Sequence, residues 1–140
     1  MLKLALLLSC GCVLLDGQSV TNIAAASVPA EFVGAWLAED ISGRGVMDFL
    51  QTTLEINDDG TYSGFAGCNS YTGVFSLSSG ILAFGPVAST RKMCPPAVMD
   101  QERKFFDVLK TGLSWTIDGT KLLLAKPGTT SGLLLARHDI

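Results

Sequence analysis

Four sets of residues in this 140-residue sequence could carry chemistry: the cysteines, one glutamate on a helix-like stretch, a single histidine and an acidic turn. Cys68 lies in "GFAGCNSYTG" and Cys94 in "RKMCPP". In an oxidising compartment a lone pair of cysteines favours a disulfide over a metal site or a free thiol. The loop closed by that bond would hold about 27 residues, which corresponds to roughly 3.5 kcal/mol of chain-entropy stabilisation. A redox pair and two buried thiols are the alternatives. Redox cysteines usually sit close together at a helix N-terminus, where the thiolate is stabilised. Cys94 does precede a helix-like stretch, but Cys68 has glycines around it and no adjacent cation.

Glu102 falls inside the apolar arc of that stretch, "PAVMDQERKFFDVLK". A carboxylate there must accept hydrogen bonds, pair with a cation or stay protonated. It could serve as a general acid or base, or it could bind backbone N–H groups or hydroxyls such as those of Thr90 or Ser89. A general acid–base site needs a partner, and the one histidine, His138, is third from the end. The run Asn57-Asp58-Asp59-Gly60 is too short for a calcium loop and reads as a hairpin turn. No nucleophile–base set can be assembled, so no enzymatic activity, metal or cofactor is expected.

The compartment is written at the N-terminus. "MLKLALLLSCGCVLL" has one lysine before an apolar run from Leu4 to Leu15, too short to span a bilayer but suited to an export signal. Cleavage after Ala24-Ala25-Ala26 would leave Ser27 as the first mature residue. Alternatively, the lipobox-like "LLSC" would make the chain a lipoprotein acylated on Cys10. A buried N-terminal helix is the third reading, though no amphipathic period is visible. The expected organisation is an export signal over 1–26, a tether over 27–30 and one domain over 31–137, delivered to the periplasm. Net charge is −3, and no basic cluster exceeds the pair Arg91-Lys92. Nucleic acid is therefore not expected as a partner, and a membrane only through a lipid on Cys10.

The elements that must position Cys68, Cys94 and Glu102 are mostly strands. "TTLEI" and "TYSGFA" flank Asp59-Gly60, and "SWTI" and "KLLLA" flank Asp118-Gly119, two hairpin signatures. "YTGVFSL", "ILAF" and "LLLAR" supply further strands. "RGVMDFLQ", Arg44 to Gln51, reads as a surface loop or lead-in strand whose Arg44 and Asp48 could border a groove. The fold class is mainly β (α+β): a small antiparallel, barrel-like meander with one helix, about residues 97–110, packed on it. Val98, Met99, Phe105, Phe106 and Leu109 share the helix's apolar arc, and Asp100 and Lys110 suit the helix dipole. Trp36, Phe65, Phe75 and Trp115 are candidates for the interior. Gly64, Gly67 and Gly73 would let the backbone bend around Cys68, and Asn69 would take a left-handed conformation or tie the turn with its amide.

Three segments together resemble the bacterial META domain, a family that includes a heat-inducible envelope protein. They are Trp36-Leu37 with Ile41 and Gly43; "SGFAGCNSYTGVF" with Gly67, Cys68, Asn69, Tyr71 and Gly73; and "STRKMCPP" with Thr90 and Cys94, followed by Glu102, Phe105, Phe106, Leu109 and "WTIDGTKLLL". Lys92 departs from the pattern, where an apolar or small residue is more familiar. The resemblance spans roughly Glu31 to Arg137 and implies a small antiparallel barrel with one helix packed against it, in a family with no established catalytic activity. The expected barrel and the apolar-rich domain point to a monomeric envelope protein that holds an apolar small molecule or a partner protein in a barrel cleft, and the resemblance links it to stress tolerance. A purely structural module with a filled core is the alternative, and a thiol-redox protein the weaker one.

Overall fold

The computed structural model describes residues 28–138. The expected export signal and cleavage site, with Cys10 and Cys12, lie outside the described residues. The chain runs through β1 (Gly34–Ile41), β2 (Arg44–Gly45), β3 (Thr53–Ile56), β4 (Thr61–Phe65), β5 (Ser70–Ser78), β6 (Ile81–Phe84) and β7 (Ala88–Ser89). Helix α1 (Pro96–Leu109) follows, then β8 (Leu113–Asp118), β9 (Lys121–Ala125) and β10 (Gly132–Arg137).

Turn chemistry sets the meander. Gly60 and Gly119 take positive φ in the expected Asp-Gly hairpins, and Asp59 Oδ1 accepts from the Thr61 N–H at 2.9 Å. Ser42-Gly43 and Ser79-Gly80 each have both φ values positive, between the directly paired residues Ile41↔Arg44 and Ser78↔Ile81. That is the signature of the two-residue type I′ hairpin.

Eight antiparallel strands, in the order β10-β9-β8-β6-β5-β4-β3-β1, close into a barrel when β10 pairs back onto β1. The closing seam runs from Trp36↔Arg137 to Ile41↔Leu133, with a register shift between Ala38 and Asp40. Trp36 and Ala38 are buried; the extra residue returns Ile41 to the buried face as well. The Arg137 guanidinium lies 4.0 Å from the centroid of the Trp36 ring and donates to the Val33 and Glu31 carbonyls across the same seam. The β6–β8 and β3–β4 pairings of the barrel are the short ones, with Ile81↔Ser114 and Leu82↔Leu113 in the first and Glu55↔Ser63 and Ile56↔Tyr62 in the second.

Alternation then fills the interior. Trp36, Leu54, Ile56, Tyr62, Leu82, Leu122, Leu124, Leu133 and Leu135 are inaccessible to solvent and share one core with Phe32 and Phe75. Trp115 is half-buried against Phe32, with ring centroids 5.6 Å apart. Phe65, expected inside, is instead exposed, because Tyr62 takes the inward position and an odd separation along a strand reverses the face.

Helix α1 begins one residue earlier than expected, with Pro96 in its first turn and an uncapped Pro95 before it. Its first turn has no acid and its last no base, since Asp100 comes one turn in and Lys110 follows the final residue. Gln101, Glu102, Phe105, Val108 and Leu109 form its buried edge, whereas Val98, Met99 and Phe106 are only half-buried. The apolar arc is thus rotated toward Gln101 and Val108. Phe105, Val108 and Leu109 join the barrel core, so helix and barrel share one hydrophobic unit.

Candidate functional site

Two adjacent helix residues, Gln101 and Glu102, reach from the buried edge of α1 to different parts of the β layer. Gln101 accepts from the Met47 N–H at 2.9 Å and donates to Thr52 Oγ1 at 3.2 Å, tying down the loop before β3. Glu102 reaches the corner between β4 and β5. Its Oε2 accepts from the Cys68 N–H at 3.0 Å and the Asn69 N–H at 2.7 Å, and its Oε1 accepts from Asn69 Nδ2 at 2.8 Å. Glu102 and Asn69 are 6% and 2% exposed, so these bonds stand in for water on a carboxylate that has nearly lost it.

Asn69 carries the network onward. Its Oδ1 accepts from the Lys92 N–H at 2.6 Å and from Thr90 Oγ1 at 2.9 Å, while its Nδ2 also donates to the Lys92 carbonyl at 3.3 Å. Its backbone conformation is not left-handed: the amide ties the turn, and Gly67 takes the positive φ of +129°. The donors to Glu102 are therefore the Cys68 and Asn69 amides, not Thr90 or Ser89. Thr90 serves the same network one step away, through Asn69.

A disulfide joins Cys68 to Cys94 and fastens the same corner to the residue entering the helix region. Segment 89–93 is thus held at Thr90 and Lys92 by Asn69, and Cys94 is held covalently. Tyr71 donates to the Thr53 carbonyl at 2.6 Å, and burial raises its phenol pKa, with the nearby Tyr62 adding to the shift. Its ring centroid lies 5.5 Å from that of Phe105 and 5.4 Å from that of Phe106, joining the corner to the helix. Gly73 is needed for space: a Cβ there would come within 2.7 Å of the Tyr62 ring. Gly67, Cys68, Asn69, Tyr71, Thr90, Cys94 and Glu102 do not gather around one reacting centre; they build and brace this corner, while Gly73 makes room for Tyr62.

Beside the corner lies an open groove of about 480 Å³ between segment 89–93 and the exposed side of α1. Met93, Met99 and Phe106 give it apolar surface, and Arg91, Lys92, Arg103 and Lys110 give it positive charge. Asp107 also lines it, bridged to Lys110 at 3.2 Å. Asp100, just outside, pairs with Arg103 and with Lys104, whose hydrogen bond leads in lowering its carboxyl pKa. Among the described residues neither Arg91 nor Lys92 is in a salt bridge. A second, smaller recess of about 200 Å³, lined by Arg44, Met47 and Gln101, borders the loop that the sequence marks as a groove edge; Asp48 does not line it. His138 is remote in role from both: its N–H donates to the Ala35 carbonyl on β1.

Sequence reasoning missed Gln101 and the groove. Gln101 left a signal, a second polar residue beside Glu102 on the buried edge of the helix. The groove left only the basic pair Arg91-Lys92, because its walls come together through the fold.

A comparison with curated proteins returned no match. Two NMR structures share the fold. One is 25% identical, covers 78% of this chain and 94% of its own, and superposes with a TM-score of 0.62. The other, from Burkholderia xenovorans, is 21% identical, covers 79% of this chain and 86% of its own, and has the same TM-score. The META domain family model matches residues 30–138, which takes in every strand, the helix and the clamped corner. The chain belongs to the META domain family.

Proposed function

We propose that this protein is an exported, non-enzymatic binding module of the bacterial envelope, and that it takes its partner in the groove between segment 89–93 and α1. The carrying observation is that Asn69, Glu102 and the Cys68–Cys94 bond all converge on one wall of that groove. A wall held this firmly is preorganised, which reduces the ordering cost of binding.

The packed interior favours the surface over a ligand sealed inside the barrel, since Trp36, Tyr62, Phe32 and Phe105 fill it. The disulfide accords with an oxidising compartment, and the N-terminal signal with delivery to it. A clamp role for Glu102 is supported by its three N–H donors, which fill three of a carboxylate's roughly four acceptor positions. Stress tolerance would follow from stabilising a partner in the envelope, the role that the family resemblance suggests.

The test is site-specific photocrosslinking in cells. A photoreactive amino acid at Met93, on the groove, is compared with one at Val74, exposed on β5. The expected outcome is a discrete envelope adduct from position 93 that position 74 does not give. Absence of adducts from position 93, or the same adducts from both, contradicts the proposal.

A further inference from the structure

We infer that the groove's ligand is an extended acidic peptide segment that adds a strand to the free edge beginning at β7 and lays apolar side chains on Met93, Met99 and Phe106. The inference rests on the groove-binding reading above and names its partner class.

The direction of backbone groups carries it. Thr90 donates its N–H to the Ser70 carbonyl at 3.0 Å, and Lys92 donates its N–H to Asn69 Oδ1 at 2.6 Å. Alternate residues of a strand point their N–H and C=O to opposite sides. With Thr90 turned toward β5, the pairing turns the Ser89 N–H and C=O outward. Lys92 is turned toward the corner two residues on, and we extend the same alternation to Arg91, which lies past the end of β7. In the register, Ser89 stands opposite Tyr71, next to the bonded Ser70–Thr90 position. Among the described residues β7 has β5 as its one strand partner. Residues 88 to 93 are all exposed, and Ser89 through Met93 form one wall of the groove. Outward groups at positions i and i+2 are what an added antiparallel or parallel strand pairs with.

Charge selects the strand's composition. Although the protein carries a net charge of −3, four cations line this groove. Two of these are already paired, Arg103 with Asp100 and Lys110 with Asp107, and Glu102 keeps its charge while facing the Cys68 and Asn69 donors on the corner side. Arg91 and Lys92 are thus available to carboxylates along the edge. Met93 is 87% exposed, and methionines adapt to different apolar side chains, which suits a segment with alternating acidic and aliphatic residues. The main-chain edge favours a peptide over a lipid, which has no matching row of donors and acceptors.

The experiment is an NMR titration of the isotope-labelled, oxidised protein with five probes. They are an eight-residue peptide of alternating glutamate and leucine, its lysine–leucine counterpart, the acidic peptide N-methylated on either alternate set of amides, and phosphatidylglycerol vesicles. The acidic peptide should shift the amides of Ser89, Arg91 and Lys92 with a Kd below about 1 mM. The basic peptide should bind at least about tenfold more weakly. One N-methylated set should lose about tenfold while the other keeps its affinity, because alternate amides of an added strand face the protein. The double variant Arg91→Glu, Lys92→Glu should reverse the charge preference. Equal binding of the acidic and basic peptides, or identical behaviour of the two N-methylated sets, overturns the inference. Vesicles shifting these amides where peptides do not assigns the groove to lipid and also overturns it. If no probe moves the groove while crosslinks from position 93 persist in cells, the acidic-strand inference fails and groove binding stands. If both are absent, both fail.

Discussion

Replacing Glu102 by alanine tests whether the carboxylate is the clamp that holds helix to corner. The substitution removes one acceptor group from three donors: the Cys68 N–H, the Asn69 N–H and Asn69 Nδ2. Each buried donor left without a partner costs about 1–3 kcal/mol, reduced where water can enter from the groove side. Alanine regains a few tenths of a kcal/mol in helix propensity, about 0.3 kcal/mol, too little to change the balance. The net expectation is a loss of about 3–5 kcal/mol, the low end of three such unmet donors. Glu102→Gln keeps one carbonyl oxygen and can retain the two backbone bonds. Its new NH2 group then meets Asn69 Nδ2 donor to donor, so the loss should be smaller, about 1–2 kcal/mol. Urea unfolding of the oxidised protein, followed by tryptophan fluorescence, separates the cases. At an m-value of about 1.5 kcal/mol/M the alanine variant's midpoint should fall by roughly 2–3 M with little change in slope. A loss under about 0.5 kcal/mol for alanine would refute the clamp, and equal losses for both variants would show that charge, not acceptor geometry, matters.

Three further outcomes follow from the same structure. Replacing both Cys68 and Cys94 by serine, with a separation of 26 residues between them, should lower stability by roughly 3.5 kcal/mol in urea unfolding. A change near zero would mean the pair does not restrain the unfolded chain. Tyr71, its phenol pKa raised by burial, should stay neutral in the folded state. The unfolded chain ionises first, so stability is full below the unfolded phenol's range near pH 10 and falls as pH rises above it. Absorbance near the phenolate band should therefore rise with unfolding; ionisation of Tyr71 while near-UV dichroism stays native would contradict this. Gly73→Ala should cost about 1–3 kcal/mol by thermal or urea unfolding, since the new methyl meets the Tyr62 ring at 2.7 Å. An unchanged midpoint would show that the ring can move aside.

Much of this was legible in the sequence where one residue type has one physical use. Asp59-Gly60 and Asp118-Gly119 mark turns because few other residues accept positive φ, and both hairpins are present. Glu102 stood out as a carboxylate on an apolar face, and burial at 6% exposure explains why it needed donors. Which donors was not legible, since the β4–β5 corner meets the helix only through the fold, across 33 and 34 residues of sequence. Strand β1 was obscured by the shift between Ala38 and Asp40, which breaks the two-residue alternation just where the barrel closes. The two-residue β7 has no periodicity to read. Its pairing with β5 fixes which way Ser89 faces, a property that neighbouring residues in the sequence do not encode.

The most direct measurement is a native mass spectrum of the protein isolated from bacterial cells separated into cytoplasm and envelope. The account predicts a cleaved chain, starting at Ser27 or acylated at Cys10, and in either form two hydrogens lighter through the Cys68–Cys94 bond. An uncleaved chain recovered from the cytoplasm with both thiols free would contradict it.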